Sequence, residues 1–291
     1  MAVLIYVLVV LGLVLAAYMI FVETRWFHLG EVTIHVRKSF PRRLTVLHLT
    51  DAHFRKGHGW KRRFIEGLAE RPVDFVFATG DMIDSPDGIG DCVQALAALK
   101  PRYGTYFVLG GHDHYAITLM DTIHHLTHFT TSRRASRKNE TEELIKRLTE
   151  IGVSVLVNEH RRVKVDECEI VIVGLDDPFL SRDDLDAAME GVAAEDHTIL
   201  LVHSPDVTEG APEQDVDVVF AGHTHGGQIR LPFIGALVTR STLPRRRACG
   251  VFKVKETVFH LNKGLGAGPI TDFRLFCRPE ATIVHIVPGE N

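Results

Sequence analysis

Short apolar runs recur along most of the chain, and each one is followed closely by an Asp, His or Gly. The runs are four to six residues long and rich in Val, Leu, Ile and Phe, which is typical of buried strands. We predict six such strands: Leu44–Leu49, Phe75–Ala78, Tyr106–Leu109, Ile170–Val173, Thr198–Val202 and Val216–Ala221.

Stretches with a helical pattern lie between several of these strands. Asn139 followed by Glu142 predicts a capping box at the start of the third helix. Two later runs, Gly250–Val254 and Thr257–Leu261, predict a hairpin. The alternation indicates an α/β domain, in which sites are expected at strand ends. We predict four helices: Lys61–Glu70, Asp91–Lys100, Glu140–Ile151 and Asp183–Val192.

The N-terminal segment Ala2–Val22 has 21 residues and no charged side chain. As a helix it would cross about 30 Å of hydrocarbon. A buried core helix and a cleaved signal peptide are the alternatives. Nothing basic precedes the run, and bulky Tyr18–Phe21 end it, so the pattern favours an uncleaved anchor. We expect an anchor over 1–22, a basic connector over 23–43 and one domain over 44–291.

Basic residues follow the span, which predicts a single-pass protein of the inner (cytoplasmic) membrane with its domain in the cytoplasm. A formal net charge of −4 argues against a nucleic-acid-binding protein. Four cysteines without a CxxC pair argue against a zinc ribbon and agree with a reducing compartment. The basic residues are Arg25, Arg37, Lys38, Arg42 and Arg43.

Five short motifs follow the ends of predicted strands: Asp51–His53, Gly80–Asp84, Gly110–Asp113, Val202–Ser204 and Gly222–His225. A single histidine at a strand end is usually a hydrogen-bonded structural residue. Several oxygen and nitrogen donors that converge from strand ends instead predict a metal site suited to Mn, Fe or Zn. The candidate ligands are Asp51, His53, Asp81, His203, His223 and His225.

From about residue 44 to residue 291 the chain resembles the calcineurin-like metallophosphoesterases, whose pattern is DxH, GDxxD, GNHD, H and GHxH. The resemblance implies a four-layer α/β/β/α sandwich with a centre for two divalent metal ions, best matched by manganese. It implies that Asp81 bridges the ions and that His203 and His223 also hold the second one. It implies a first ion held by Asp51, His53, Asp81 and His225.

The same resemblance implies a phosphoester hydrolase in which His112 is the general acid or stabilises the transition state, oriented by Asp113. Two metal ions can clamp the phosphoryl oxygens during in-line attack, and a histidine titrates near neutrality. Gly174–Pro178, Gly226–Gln228 and Gly264–Gly266 resemble the membrane-associated branch of the family, as does Arg278–Glu280. Turn chemistry is the alternative explanation for most of these residues.

One position departs from the family pattern, because Gly111 stands where the family has Asn. Glycine has no side chain to coordinate a metal, so the second ion lacks one expected ligand. A water molecule, His114 or the substrate could take that place. Weak binding of the second ion is the other expectation, which would allow a metal-binding pseudoenzyme that serves as a membrane scaffold.

Between Asp113 and the third helix, apolar residues recur every three positions, a spacing close to that of a helix. We predict an apolar lid that accepts acyl chains, with ordinary packing onto the domain as the alternative. Candidate substrate contacts in the lid are Ile117, Met120 and Ile123. Two basic groups, one of which contains Arg245, could meet anionic headgroups or a nucleotide diphosphate, although solvated loops also explain short basic runs.

The anchor, the phosphoesterase pattern and the lid together predict a membrane-embedded phosphate ester as the substrate. The resemblance to UDP-2,3-diacylglucosamine pyrophosphatases implies cleavage of that lipid to a lipid monophosphate and UMP, a step of lipid A synthesis. A broader phosphodiesterase acting on phospholipids or small diesters is the first alternative. The expected partners are the lipid-linked substrate and the bilayer, and the oligomeric state stays open.

Overall fold

Two mixed β-sheets packed face to face, with helices on their outer sides, form the domain of the protein. A computed structural model describes residues 1–37, 40, 42–116, 137–207, 210–239, 241–268 and 272–289. The helices are α1 (Ala2–Ala17), α2 (Gly59–Glu66), α3 (Ile89–Ala97), α4 (Gly111–His114), α5 (Thr141–Glu150), α6 (Leu185–Met189) and α7 (Gly210–Glu213).

Sixteen strands lie within the described residues. The first eight are β1 (His28–Val36), β2 (Leu44–Leu49), β3 (Phe75–Thr79), β4 (Thr105–Val108), β5 (Tyr115–Ala116), β6 (Arg137–Lys138), β7 (Ser154–Val155) and β8 (Glu159–Val165). The others are β9 (Cys168–Gly174), β10 (His197–Leu201), β11 (Val218–Ala221), β12 (Arg230–Leu231), β13 (Gly235–Ala236), β14 (Gly250–Val254), β15 (Thr257–Leu261) and β16 (Glu280–Pro288).

Each large sheet has six strands with four adjacent parallel ones. The first sheet has the order β1-β16-β2-β3-β4-β7, in which β2, β3, β4 and β7 are parallel. The second has the order β14-β15-β11-β10-β9-β8, in which β15, β11, β10 and β9 are parallel. Since neighbouring parallel strands end at the same edge, the loops that follow them are brought together.

The core has three apolar layers, which is why the predicted strands read as almost unbroken apolar runs. Phe77 of the first sheet and Phe220 of the second meet between the sheets, with ring centroids 5.1 Å apart. Outside the first sheet, α2, α3 and α5 bury Ile65, Leu96 and Leu144. Outside the second sheet, α6 and α7 cover the remaining face. The expected four-layer α/β/β/α sandwich is confirmed.

Sequence patterns located the elements but misplaced some of their ends. The six predicted strands and the hairpin are present, and the predicted helices each occur with shifted or shortened bounds. The capping box is wrong, because α5 has no side-chain cap. Asn139 instead donates from Nδ2 to the carbonyl of His112, 3.0 Å away, and so supports a neighbouring loop.

The segment expected to be a basic connector contains β1, which lies parallel to β16 at the edge of the first sheet. Alternating burial at Ile34 and Val36 places these side chains in the core between the sheets. The structured domain therefore extends on the N-terminal side of residue 44, because an edge strand buries only one face and its apolar signal is weaker.

Before β1, the chain forms a helix that continues from Ala2 to Arg25, 24 residues in all. Within the described residues it is the one helix long and apolar enough, by length and composition, to cross a membrane. No side chain of α1 is buried, whereas Glu23 and Thr24 at the end of the helix are buried against the domain. The apolar part therefore stands free of the protein core.

Candidate metal centre

The loops after β2, β3, β10 and β11 carry the predicted ligands, the loop after β4 carries His112, and the two sheets bring them to one place. Asp51, His53 and His225 form one cluster of donor atoms. His225 Nε2 lies 3.4 Å from Asp51 Oδ1 and 3.3 Å from His53 Nε2. The other ring nitrogens are held, since His53 Nδ1 is 2.6 Å from Asp84 Oδ1 and His225 Nδ1 is 3.1 Å from the carbonyl of Gly266.

A second cluster shares Asp51 with the first and adds Asp81 and His203. His203 Nε2 lies 3.1 Å from Asp81 Oδ2 and 4.0 Å from Asp51 Oδ1. Its Nδ1 lies 2.8 Å from the carbonyl of Thr79, which fixes the ring. Asp81 Oδ2 is also 4.0 Å from His53 Nε2, and a third group of donor atoms joins Asp81 and His53 to His112. The Asp81 carboxylate therefore lies between the first two clusters, where a bridging ligand is expected.

His223 lies beside these clusters but belongs to none of them in the described part of the chain. Its ring centroid is 5.2 Å from that of His203 and 5.0 Å from that of Phe179. Its backbone nitrogen donates to Asp51 Oδ2 at 3.0 Å. The structure therefore places His223 next to the predicted second ion, and its role as a ligand stays a prediction.

Most of the predicted ligands have a strained backbone. A positive φ occurs at Asp51, His53, Asp81, His223 and His225, with values from 48° to 68°. Side chains other than glycine rarely adopt this left-handed region, and such strain is concentrated at functional sites. Backbone strain at five positions around one centre favours a functional explanation of these residues over a structural one.

Buried donor atoms without hydrogen-bond partners test whether metal ions fit here. Within the described residues, Asp51 Oδ1 and His203 Nε2 are buried and have none. Burial would raise the pKa of Asp81, but His203 and His112 hold it well below its usual range, so the carboxylate is ionised. Buried charged oxygens beside imidazole nitrogens suit Mn, Fe or Zn. The residues fit two divalent ions, and they do not decide which metal.

His112 and Asp84 form the part of the site that can handle a proton. His112 Nδ1 lies 3.0 Å from Asp84 Oδ1, the same oxygen that contacts His53. Burial acts to lower the pKa of His112, but the charges of Asp81 and Asp84 prevail and raise it to about 9. With Nδ1 turned to Asp84, Nε2 is the nitrogen left to give a proton to a departing oxygen.

The predicted orienting role of Asp113 requires a correction. Its Oδ1 accepts hydrogen bonds from the backbone nitrogens of Met82 and Ile83, and its Oδ2 accepts one from Gly110. Asp113 therefore ties the loop after β3 to the loop after β4. Asp84 is the carboxylate that contacts the His112 ring. The sequence could not separate the two, because both lie in motifs near a strand end.

Comparison with known proteins agrees with this geometry. Residues 44–227, more than half of the chain, match the calcineurin-like phosphoesterase family. The chain belongs to the calcineurin-like phosphoesterase family. It is thus a metal-dependent phosphoesterase, of a family that uses a dinuclear metal site.

Three relatives show how far this metallophosphoesterase resembles other proteins. It is 28% identical to the uncharacterized metallophosphoesterase YkoQ of Bacillus subtilis, over 91% of this chain and 92% of YkoQ. It is 25% identical to the phosphodiesterase YaeI of Escherichia coli, over 93% of this chain and 92% of YaeI. A transmembrane protein with metallophosphoesterase domain from Danio rerio is 28% identical, over 87% of this chain and 55% of that protein.

Gly111 opens α4 directly beside the second cluster of this metallophosphoesterase. A Cβ at this position would lie 3.2 Å from Asp177 Oδ2, in the loop after β9. Burial raises the pKa of the Asp177 carboxyl to about 6, although His203 acts to lower it. His114, predicted as one possible replacement ligand, has its Nε2 2.6 Å from Asp176 Oδ1. That nitrogen is therefore already engaged with a carboxylate.

Of the four predicted substrate contacts, Arg245 alone lies within the described residues. Ile117, Met120 and Ile123, and with them most of the predicted lid, lie outside the described residues. Arg245 is exposed in a short 3-10 turn, Arg245–Arg247, and its guanidinium donates to the carbonyl of Leu237 at 3.4 Å. The structure records no contact between this residue and the metal-ligand clusters.

Two buried cations that support the metal loops gave no sequence signal. Lys61 of α2 donates from Nζ to the carbonyl of Ala52, 2.7 Å away, and burial lowers its pKa to about 8. Arg274 is completely buried and donates to the carbonyls of Lys263 and Gly264, as well as to that of Gly266. A lone Lys or Arg in a loop or helix is ordinary in a sequence. Only tertiary contacts show that these two hold the site.

Proposed function

We propose that the protein hydrolyses a phosphodiester or pyrophosphate bond of a lipid-linked substrate at a membrane surface. The observation that carries this proposal is a direct series of contacts between the apolar N-terminal helix and the metal centre. The site of a phosphoesterase joined in this way to a membrane helix would meet its substrate at the bilayer. Membrane anchoring is supported by the transmembrane protein among the relatives.

The contacts run from the end of the helix to His225. The backbone nitrogen of Arg274 donates to the carbonyl of Met19 at 3.1 Å, and that of Cys277 donates to Glu23 Oε1 at 2.5 Å. Cys277 Sγ then donates to the carbonyl of His225 at 3.3 Å. The predicted ligand His225 is therefore linked to Glu23, at the end of the helix, through one intervening residue, Cys277.

An apolar surface continues from the same place. The small hairpin formed by β12 and β13 begins just after His225, and at its tip Phe233 is fully exposed and Ile234 largely so. Phe276 and Trp26, near the end of the helix, are also more than half exposed. Large exposed apolar side chains beside a membrane helix favour insertion into the interfacial layer, and Trp is enriched there.

The cleft between the helix end and the metal loops suits an anionic headgroup. It has a volume of about 590 Å³, and its lining includes Arg230, Lys263 and Arg278. Glu280, 2.7 Å from Lys263 Nζ, and Glu23, which also lines the cleft, neutralise part of this charge. Arg230 Nη1 and Arg278 Nε and Nη2 donate to backbone carbonyls, so the other N–H groups of these two residues are the ones that can donate to phosphate oxygens.

The chemistry follows from the residues at the centre. Two metal ions held by these residues would supply Lewis acidity to the phosphoryl oxygens and would lower the pKa of the water that attacks phosphorus as the leaving oxygen departs. His112, held by Asp84, donates a proton to the leaving oxygen. Asp51 and Asp81 would supply the negative charge that retains the ions, and His53, His203 and His225, with the predicted ligand His223, would supply nitrogen donors.

The specific substrate we propose is UDP-2,3-diacylglucosamine, cleaved to a lipid monophosphate and UMP on the cytoplasmic face of the inner membrane. Basic residues that follow the helix support this orientation. A phosphodiesterase acting on phospholipids or small diesters is the second candidate, and the similarity to the phosphodiesterase YaeI favours it. A metal-binding scaffold without activity is the third, because of Gly111.

A substrate panel tests these candidates. The full chain, purified in detergent micelles with Mn²⁺, is assayed against UDP-2,3-diacylglucosamine, unacylated UDP-sugars, phospholipids and an aryl phosphodiester. We expect UMP release from the acylated substrate, abolished or strongly reduced by His112→Ala. Hydrolysis of the aryl diester or a phospholipid alone would replace the proposed substrate with the second candidate. No hydrolysis of any compound would leave only the scaffold.

A further inference from the structure

We propose that the Asp177 carboxylate is a ligand of the second metal ion, in the coordination position that Gly111 leaves without a side chain. This rests on the dinuclear centre of the proposed function. It adds a residue of the loop after β9 to a ligand set otherwise drawn from the loops after β2, β3, β10 and β11. It also explains how the chain could retain two ions despite the change from the family pattern.

The first argument is the space beside Gly111. A Cβ built at this position would lie 3.2 Å from Asp177 Oδ2, and the next nearest atoms outside the adjoining chain are two carbons of Leu180, both at 4.0 Å. The carboxylate therefore occupies the region into which a side chain at position 111 would extend. Glycine at 111 and Asp at 177 are complementary in volume.

The second argument is the unsatisfied oxygen. Asp177 has no exposed surface, and its Oδ1 accepts a hydrogen bond from the backbone nitrogen of Phe179 at 3.2 Å. Among the described residues, Oδ2 has no hydrogen-bond partner. A buried carboxylate oxygen without a partner is energetically unfavourable, because its charge has lost the water that solvates it in the unfolded chain. A cation at this oxygen removes that cost.

The third argument is position in the sheet. Gly174 at the end of β9 pairs with Leu201 at the end of β10, and three residues further along the chain comes Asp177, while two residues after Leu201 comes His203. Both side chains thus follow adjacent parallel strands at the same edge. The charges of His203 and Asp81 also act on the pKa of the Asp177 carboxyl, in agreement with this position.

The neighbouring carboxylate provides the contrast. Asp176 is almost as buried as Asp177, but its oxygens are engaged by His114 Nε2 at 2.6 Å and by Arg182 Nε at 2.7 Å. Two adjacent acidic residues thus have different surroundings: the oxygens of Asp176 are paired with His114 and Arg182, whereas Asp177 Oδ2 is buried without a hydrogen-bond partner among the described residues. Asp176→Asn is accordingly the matched control.

The test measures metal binding rather than hydrolysis. Full-length protein in detergent is stripped of metal and titrated with Mn²⁺, with stoichiometry from elemental analysis and the exchange-coupled manganese pair followed by electron paramagnetic resonance. We expect two ions in the wild type and in Asp176→Asn. In Asp177→Ala we expect the coupled signal to disappear and second-ion affinity to fall by at least the roughly 10–100-fold typical of losing a supporting residue.

A reciprocal substitution separates coordination from a structural role. Gly111→Asn alone should give no gain, because its Cβ crowds Asp177 Oδ2. In Asp177→Ala/Gly111→Asn, the space is free and the Asn oxygen should restore the second ion. The proposal is overturned if Asp177→Ala keeps both ions with unchanged affinity, loses both together, or is not rescued by Gly111→Asn. A wild type that binds two ions yet cleaves no lipid would instead contradict the proposed function alone.

Discussion

The two sheets supply the same metal centre, but they contribute to it in different ways. Loops of the first sheet hydrogen-bond to each other: the nitrogen of Asp51 donates to the carbonyl of Gly80, and that of His53 to the carbonyl of Asp81, each at 3.0 Å. Loops of the second sheet hydrogen-bond to each other as well, since the nitrogen of Gly222 donates to the carbonyl of His203 at 3.0 Å, and they also contact the first sheet, since His203 Nδ1 lies 2.8 Å from the carbonyl of Thr79. The carboxylates that belong to more than one donor cluster, Asp51 and Asp81, both come from the first sheet. Changes in first-sheet loops should therefore affect both ions, while a change of one second-sheet histidine should affect one.

Asp81→Ala should have the largest effect and is the strongest test of this difference. The substitution removes the carboxylate that lies between both clusters, so we expect loss of both ions and nearly complete loss of hydrolysis. His223→Ala in the second sheet should cost only one ion. Elemental analysis of the purified variants measures how many metal ions each one retains. Equal metal loss in the two variants would show that the loops of both sheets are equally interdependent.

Within the first sheet, His112 and Asp84 should separate proton transfer from metal binding. His112→Ala should keep both metal ions and lower turnover by about 10²–10⁴, as expected for a lost general acid. Asp84→Asn should affect both properties, because Asp84 Oδ1 contacts His53 as well as His112. Turnover and metal content are measured on the same preparations. If His112→Ala lost its ions, His112 would have to be reassigned as a ligand.

The hairpin of β12 and β13 is a separate two-stranded sheet that follows the metal loop after β11, and it tests the proposed contact with the membrane. Phe233→Asp should weaken hydrolysis of lipid-linked substrate in vesicles by about tenfold or more, because a buried Phe contributes roughly 1.5–3 kcal/mol. Hydrolysis of a soluble aryl diester should stay unchanged, since the residue lies outside the metal clusters. Phe252→Asp is unsuitable as a control because that ring packs on Phe259. Lys253→Asp, on an exposed strand position, is the matched one. Equal losses on both substrates would show a structural role for the hairpin.

The smallest expected effect concerns a contact between the sheets. His48 of β2 and His260 of β15 are buried with Nδ1 atoms 2.9 Å apart, and burial lowers the pKa of His260 to about 3. In the unfolded chain His260 binds a proton with a pKa near 6.5, whereas the buried ring of the folded protein stays neutral at that pH. Stability is therefore complete above pH 6.5 and falls below it, by about 2 kcal/mol for His260 between pH 7 and pH 5.

Urea unfolding at several pH values measures this effect in the wild type and in His260→Gln. Glutamine keeps a hydrogen-bonding group beside His48 but does not titrate. The variant should therefore lose less stability than the wild type as the pH falls. Parallel pH profiles for the two proteins would mean that this pair does not contribute.

Much of the fold was accessible from the pattern of residues. Runs such as Phe75–Thr79 are buried on both faces, so their apolar content alone identifies them as central strands. The edge strand β1 was missed because only alternate side chains such as Ile34 and Val36 are buried. The start of α5 was misread because Asn139 serves a distant loop instead of its own helix.

For the site, local spacing determined which residue types lie at strand ends, and hence a mixed oxygen and nitrogen donor set. Partners that are far apart in the chain were decided only by tertiary structure. Asp84, not Asp113, contacts His112, and the space at Gly111 is taken by Asp177 from the other sheet. Motif spacing constrains neighbours along a loop, whereas contacts between loops depend on how two sheets pack. That packing is a property of the whole core, and no short segment encodes it.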